Sequence, residues 1–186
     1  MSNLQPQAHT LVYRRLSASE AAKIAEIDRT ERITLGYRQQ GATIIAEAVN
    51  WNVPPWYPED AGGHSVARMV HESVALAAEG AVLLGAFDQE RLVGIAVLRE
   101  RLREQVAQLA LLFVSNGYRR QGIARRLVRE IVELARASNA TYLYVSATPS
   151  ESAVGFYQSQ GFRPTAEPDP ELLALEPEDI HMVMEL

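Results

Sequence analysis

No cysteine occurs in the 186 residues. That absence removes disulfides, thiolate zinc sites and a cysteine nucleophile from consideration. No stretch of the chain approaches the ~18 consecutive apolar residues of a membrane span. The first residues, MSNLQPQAHT, lack the charged and apolar regions of a signal peptide, and 1–9 read as a loose tail. Aromatics are sparse at 7%, and 18 Lys and Arg against 23 Asp and Glu leave a net charge of −5. An acidic balance argues against general nucleic-acid binding, which wants a basic surface. None of the histidines (His9, His64, His71, His181) has metal-ligand spacing with a second ligand, so no metal is expected. What is present is ordinary for a globular chain: 47% hydrophobic, 22% charged, and a length that suits one domain over 1–186. A soluble cytoplasmic protein without a membrane partner is the expectation.

Periodicity divides the chain into alternating elements. Thr10 to Arg14 reads as a short strand, and Ser17-Ala18-Ser19-Glu20 as a capping box opening a helix through Ala21, Ile24 and Ile27. Residues 28–41 are polar and irregular. Thr43 to Trp51 is strand-like until Pro54-Pro55, and 52–64 reads as a loop. Val66, Met69, Val70, Val74 and Ala77 form one helical face, with His71 opposite and Gly80 as the stop. Ala81–Phe87 and Leu92–Leu98 make a hairpin across Asp88-Gln89-Glu90-Arg91, and Gln105–Val114 is the next strand. A helix follows Gly122 with Ile123, Leu127, Ile131 and Leu134 inward. Then come a strand (Tyr142–Ala147), a helix (Ser152–Gln160), a strand start at Phe162–Thr165, a Pro- and Glu-rich loop over 166–179, and a final strand from Ile180.

One stretch carries chemistry. The run Leu109–Val114 passes through Ser115-Asn116-Gly117 into Arg119-Arg120-Gln121-Gly122-Ile123-Ala124 and a helix. The first N–H groups of a helix lack internal partners, and the dipole there favours negative charge. Gly122 removes the Cβ that would hold a phosphate away from the backbone. Arg119, Arg120, Arg125 and Arg126 crowd this helix start in an otherwise acidic chain. The loop lacks a Gly-Lys-Ser/Thr run, so a Walker-type nucleotide site is disfavoured. Downstream stands Phe156-Tyr157-x-x-x-Gly161-Phe162.

The pattern Arg119-x-x-Gly122-x-Ala124 between strand and helix, followed by this aromatic motif, resembles the GCN5-related N-acetyltransferase (GNAT) superfamily. The resemblance is specific across 80–165, which would form the acyl-CoA-binding core. It implies an α/β fold, a mixed sheet of about seven strands with helices on both faces, whose fourth and fifth strands splay to admit a pantetheine arm. It implies acetyl-CoA as co-substrate, with cofactor contacts from Leu112, Phe113, Val114, Arg119, Arg120, Gln121, Gly122, Ile123, Ala124, Arg125, Ser150 and Phe156. One N–H of the Leu112–Val114 run would face the thioester oxygen. Tyr157 would be the catalytic proton donor to the thiolate. A CoA thiol near pKa ~8.5 and a phenol near ~10 make that exchange reasonable.

The acceptor side is less legible. Many relatives carry a Glu base four residues before the equivalent of Leu112, where this chain has Gln108. The Glu that peptide-acetylating relatives place late in the fifth strand is Val145 here, and the family's Asn near the last helix is Ser150. Glu31, Glu47, Glu104 or a water chain remain as bases. The insert over 28–64 gathers Asp28, Glu31, Trp51 and Trp56, a composition suited to a cationic small-molecule amine or, equally, to a flap or a homodimer contact. The expected function is direct acetyl transfer to a small amine. The alternatives are a peptide acceptor and a non-catalytic acyl-CoA sensor.

Overall fold

A computed structural model describes residues 10–57 and 65–186. The expected N-terminal tail, His9, His64 and part of the 52–64 loop lie outside the described residues. Nine strands and four α-helices follow in chain order among these residues: β1 (Val12–Arg15), β2 (Glu31–Gln40), β3 (Thr43–Val53), α1 (Val66–Ala78), β4 (Val82–Asp88), β5 (Arg91–Arg103), β6 (Val106–Val114), α2 (Ile123–Ala137), β7 (Tyr142–Ala147), α3 (Glu151–Ser159), β8 (Arg163–Pro164), α4 (Pro170–Leu175) and β9 (Ile180–Glu185). Seven strands form one mixed sheet in the order β1-β4-β5-β6-β7-β9-β8, while β2 and β3 form a separate hairpin.

The sheet centre is apolar on both faces because helices cover both. Leu84, Val93, Ala96 and Leu98 pack on Ile123, Leu127 and Ile131 of α2 and Val154 of α3. Leu83, Phe87, Leu92, Ile95 and Val97 pack on the other side, against Ala21, Ile24 and Ile27 and the apolar stripe of α1. Burying one such aliphatic side chain is worth ~1.5–3 kcal/mol, so these two layers fix the sheet between the helices. Gly94 sets the spacing on the α2 side: a Cβ there would stand 3.0 Å from Ile123 Cγ2. The glycine therefore lets the start of α2 settle against the end of β6, since Gly94 pairs with Val114.

Three elements differ from the sequence reading. Residues 28–41 are not irregular, because 31–40 form β2, with its odd-numbered residues turned inward and its even-numbered ones exposed except Gly36, which is covered by Trp51. The 166–179 segment contains α4, whose N-cap Asp169 accepts from the N–H groups of Glu171 (3.0 Å) and Leu172 (3.2 Å), with Pro170 at the first helical position. The first helix is a 3₁₀ helix over Ala18–Glu26, in which the Glu20 carboxylate accepts from the Ser17 N–H at 3.0 Å. On α1 the inward position belongs to Ser73, whereas Val74 is exposed.

Candidate active site

β6 and β7 run parallel but pair only where Val106–Gln108 meet Tyr142–Tyr144. Beyond Gln108 they separate. The cause lies on the opposite edge of β6, where Leu98 pairs with Leu109 but Val97 pairs with Leu111. Ala110 is thus an extra residue, and a bulge of this kind bends its strand. The bulge falls where the β7 pairing stops.

Hydrogen-bond alternation decides which backbone groups face the opening. The Ser115 N–H donates to Val93 C=O at 2.8 Å, so in this antiparallel pair Phe113 and Leu111 also turn their backbone toward β5. Leu112 and Val114 then present N–H and C=O to the open side. Val114 C=O already accepts from Arg119 Nε at 3.3 Å. Phe113 therefore cannot contribute backbone to the gap as expected, and lines the cavity through its side chain.

A cavity of about 470 Å³ fills the opening. Its walls hold Leu112, Phe113 and Val114 of β6, the 119–125 turn except Gln121, Ser150, Ala153, Phe156 and Tyr157 around α3, and Arg29, Glu31, Ile33 and Val53 from the insert. Gly122 caps α2 with φ +81°, the left-handed region, and a Cβ there would meet no protein atom within 4 Å. The glycine is thus demanded by backbone sign, and the space before it stays open. Gln121 is exposed and donates to Gly117 C=O.

The arginine cluster is less free than the sequence suggests. Arg119 pairs with Glu31 at 3.0 Å. Arg126 pairs with Glu130 and stacks 3.8 Å above the Tyr13 ring. Arg120 and Arg125 make no ion pair among the described residues and both line the cavity. No acidic residue offsets them in the first turn of α2.

Tyr157 is 6% exposed and packs edge-on against Phe156 and Phe162, with ring centroids 5.4 and 5.3 Å away. No described residue hydrogen-bonds its hydroxyl. Burial pushes its pKa well above the ordinary phenol value, and the charge of Asp179 adds to the shift. The Ser150 hydroxyl caps α3, accepting from Ala153 N–H at 3.2 Å.

The expected acceptor residues separate. Glu31 lines the cavity. Asp28 turns back on Thr30, accepting from its N–H (2.9 Å) and hydroxyl (2.7 Å), and stays outside. Trp51 is 43% exposed on the hairpin and packs over Gly36. Trp56 sits behind the wall, edge-on to Phe113 (5.4 Å) and with its face covered by Arg29 (4.7 Å). That face is not open to a cationic amine. Among the expected bases, Glu47 is held by Arg38 on the outer side of the hairpin. Glu104 is exposed in the β5–β6 turn, at the opposite end of β6 from the opening.

Two residues escaped the sequence reading. Asp179 precedes β9 beside the end of β7, where Ile180 pairs with Ala147. Ile180 and Met182 point into the core shared with α2 and α3, so His181 faces the other side, while Asp179 lies just before the strand, where its charge acts on Tyr157. Burial, reinforced by nearby Glu176, raises the Asp179 carboxyl to about 7. Arg29 lines the cavity with its Nε buried and unpartnered. A carboxylate in a Pro- and Glu-rich stretch, and one arginine among many, carry no local signal of burial.

Comparison with known proteins agrees with this geometry. The model of the acetyltransferase (GNAT) domain matches residues 58–186. Human N-acetyltransferase 8 is 36% identical over 97 residues, covering 50% of this chain and 43% of that protein. The chain therefore spans less than half of the curated relative it matches. Nourseothricin acetyltransferase superposes over 94% of this chain and 98% of its own, with TM-score 0.67 at 19% identity. A Bacillus anthracis protein assigned as a streptothricin acetyltransferase, solved with acetyl coenzyme A, superposes over 95% of this chain and 99% of its own, with TM-score 0.68 at 16% identity. At such identities the structures share the fold.

Proposed function

The chain belongs to the GNAT acetyltransferase family, and from that premise we propose that it moves an acetyl group from acetyl-CoA to the amine of a small molecule by direct transfer. One observation carries the reading. The β6–β7 opening leads from a buried Tyr157 to a left-handed glycine at a helix start flanked by Arg120 and Arg125, and among the described residues neither the Tyr157 hydroxyl nor the two arginines has a partner. An elongated ligand with a phosphate at one end and a reactive group at the other fits that arrangement.

In this reading the free N–H groups of α2 and the side chains of Arg120 and Arg125 hold the pyrophosphate. The Leu112 and Val114 edge pairs with the pantetheine amides as an added strand, and one of its N–H groups stabilises the oxygen that gains charge as the amine attacks. The C–N bond forms and the C–S bond breaks. Tyr157, kept protonated by burial, supplies the proton for the departing thiolate. The acceptor ammonium gives up one proton before attack and the new amide nitrogen a second on collapse. Asp179, whose carboxyl titrates near neutrality but does not line the cavity, takes the first through water, and the second restores the Tyr157 hydroxyl.

A screen of small amines, peptide N-termini and lysine peptides with acetyl-CoA, read by thiol release, tests this. Steady release with a small amine is expected. Release only with peptides would move the acceptor class, and binding of acetyl-CoA without release to any amine would leave a sensor.

A further inference from the structure

Arg29 is held in a way that points to a ligand. Its backbone is clamped to the end of β6. Asp28 N–H donates to Ser115 Oγ (3.0 Å), Asn116 N–H donates to Asp28 C=O (2.8 Å), and Arg29 C=O accepts from Arg119 Nη2 (3.4 Å). Its guanidinium lies 4.7 Å from the Trp56 ring centroid, and Trp56 is itself anchored by donating from Nε1 to Ile27 C=O at 2.9 Å. The Nε of Arg29 is buried with no hydrogen-bond partner among the described residues.

Among the described residues Arg29 has no anionic counterpart. The nearby carboxylates are committed elsewhere, Glu31 to Arg119 and Asp28 to Thr30. A partly desolvated cation without an anion is costly, and burial is what lowers this arginine's pKa. A planar cation braced on an aromatic plate, fixed at its backbone and facing a cavity, is set up for an oxyanion. The side of the site matters too. Trp56 and Phe113 belong to the layer with α1 and the 3₁₀ helix, whereas Leu112 and Val114 side chains face α2. The Arg29 backbone thus touches Arg119 of the turn, while its guanidinium lies on the Trp56 and Phe113 side of β6, away from the side chains of Leu112 and Val114 and on the side left for the acceptor.

We propose that Arg29 binds a carboxylate on the acceptor, so that the amine acetylated is that of an amino acid or a similar amino carboxylate. This rests on the acetyltransferase reading above. The carboxylate pairs with the guanidinium and its amine is directed toward the β6–β7 opening. Trp56 acts through Arg29 as a positioning residue and does not touch the amine.

The test uses matched probes: phenylalanine, leucine and lysine, their C-terminal amides, and the corresponding decarboxylated amines. These are run with acetyl-CoA on the wild type, Arg29→Met and Arg29→Lys. The wild type should use at least one acid with kcat/KM tenfold or more above its amide. Arg29→Met should abolish that preference through KM, Arg29→Lys should restore part of it, and the Kd for acetyl-CoA should stay unchanged. The melting temperature of unliganded Arg29→Met should match or exceed that of the wild type, because a desolvated charge is removed. Turnover of amides and decarboxylated amines alone overturns the carboxylate site and leaves the acetyltransferase standing. No turnover of any probe counts against this proposal as well. A loss of acetyl-CoA affinity in Arg29→Met overturns it by assigning the arginine to the cofactor, and a lowered melting temperature with equal loss for acids and amides assigns it to structure.

Discussion

At the scale of single residues, the side chains with a local motif could be read from sequence and those defined by burial could not. Gly122 and Tyr157 sit in fixed-spacing patterns, so their place at the cavity was foreseeable. Asp179 owes its character to loss of water, reinforced by Glu176 three residues before it, and Arg29 to loss of water beside Trp56 far along the chain, and no spacing encodes burial. Each gives a measurable expectation. Tyr157→Phe keeps the packing with Phe156 and Phe162 but removes the proton, so kcat should fall roughly 10²–10⁴-fold with acetyl-CoA affinity intact. Wild-type turnover at neutral pH would reduce Tyr157 to a packing residue. Asp179 yields a pH signature. As the base it must be ionised, so the rate should rise with pH through about 7, and Asp179→Asn should remove that limb. The same shift bears on stability. Its folded pKa lies above the unfolded value of ~3.9, so the stabilisation is complete below that value and lost as pH rises toward 7. The Asn variant should therefore flatten the stability profile between these limits, as denaturant melts at several pH values would report. A limb that survives in Asp179→Asn belongs to another group.

At the scale of elements, strands and helices with strong apolar patterning were legible, and those positioned by long-range pairing were not. β2 hides in a polar stretch because only one of its faces is covered, whereas its hairpin partner β3 was readable as the strand-like run Thr43–Trp51. It is tied to the body by Tyr37 N–H on Pro149 C=O (3.0 Å) and by Gln39, which donates to Thr165 C=O (2.7 Å) and accepts from His181 N–H (2.7 Å). Gln39→Ala leaves those part-buried backbone groups unpaired at a cost of about 1–3 kcal/mol. A lower denaturation midpoint is expected, together with a raised acceptor KM, since Glu31, Ile33 and Val53 of the hairpin line the cavity. Unchanged stability and kinetics would mean the hairpin is not held through Gln39. α4 was missed although Asp169-Pro170 is a readable helix start, because proline and glutamate content alone suggested a loop. The Ala110 bulge has no sequence signature, yet it opens the cavity.

At the scale of the molecule, an acidic chain concentrates two arginines without an ion pair among the described residues, and a helix start, at one end of a cavity whose other end holds a protonated phenol. The mixed sheet with helices on both faces was expected from the resemblance to the GNAT superfamily, whose plan the order of elements matches, whereas the division of the opening into a cofactor side and an acceptor side emerges only from the register of β6. The central claim is that the Gly122 turn receives the pyrophosphate of acetyl-CoA. Calorimetric titration of acetyl-CoA into the wild type, Gly122→Ala and Gly122→Glu tests it most directly. Both variants carry the strain of a left-handed backbone, roughly 1–2 kcal/mol, but only glutamate adds a negative charge where the phosphates belong. The expected result is single-site binding in the wild type, and a loss in Gly122→Glu of roughly a hundredfold beyond that in Gly122→Ala, with both variants melting alike. Equal affinity in the alanine and glutamate variants, or a wild type that does not bind acetyl-CoA, would contradict it.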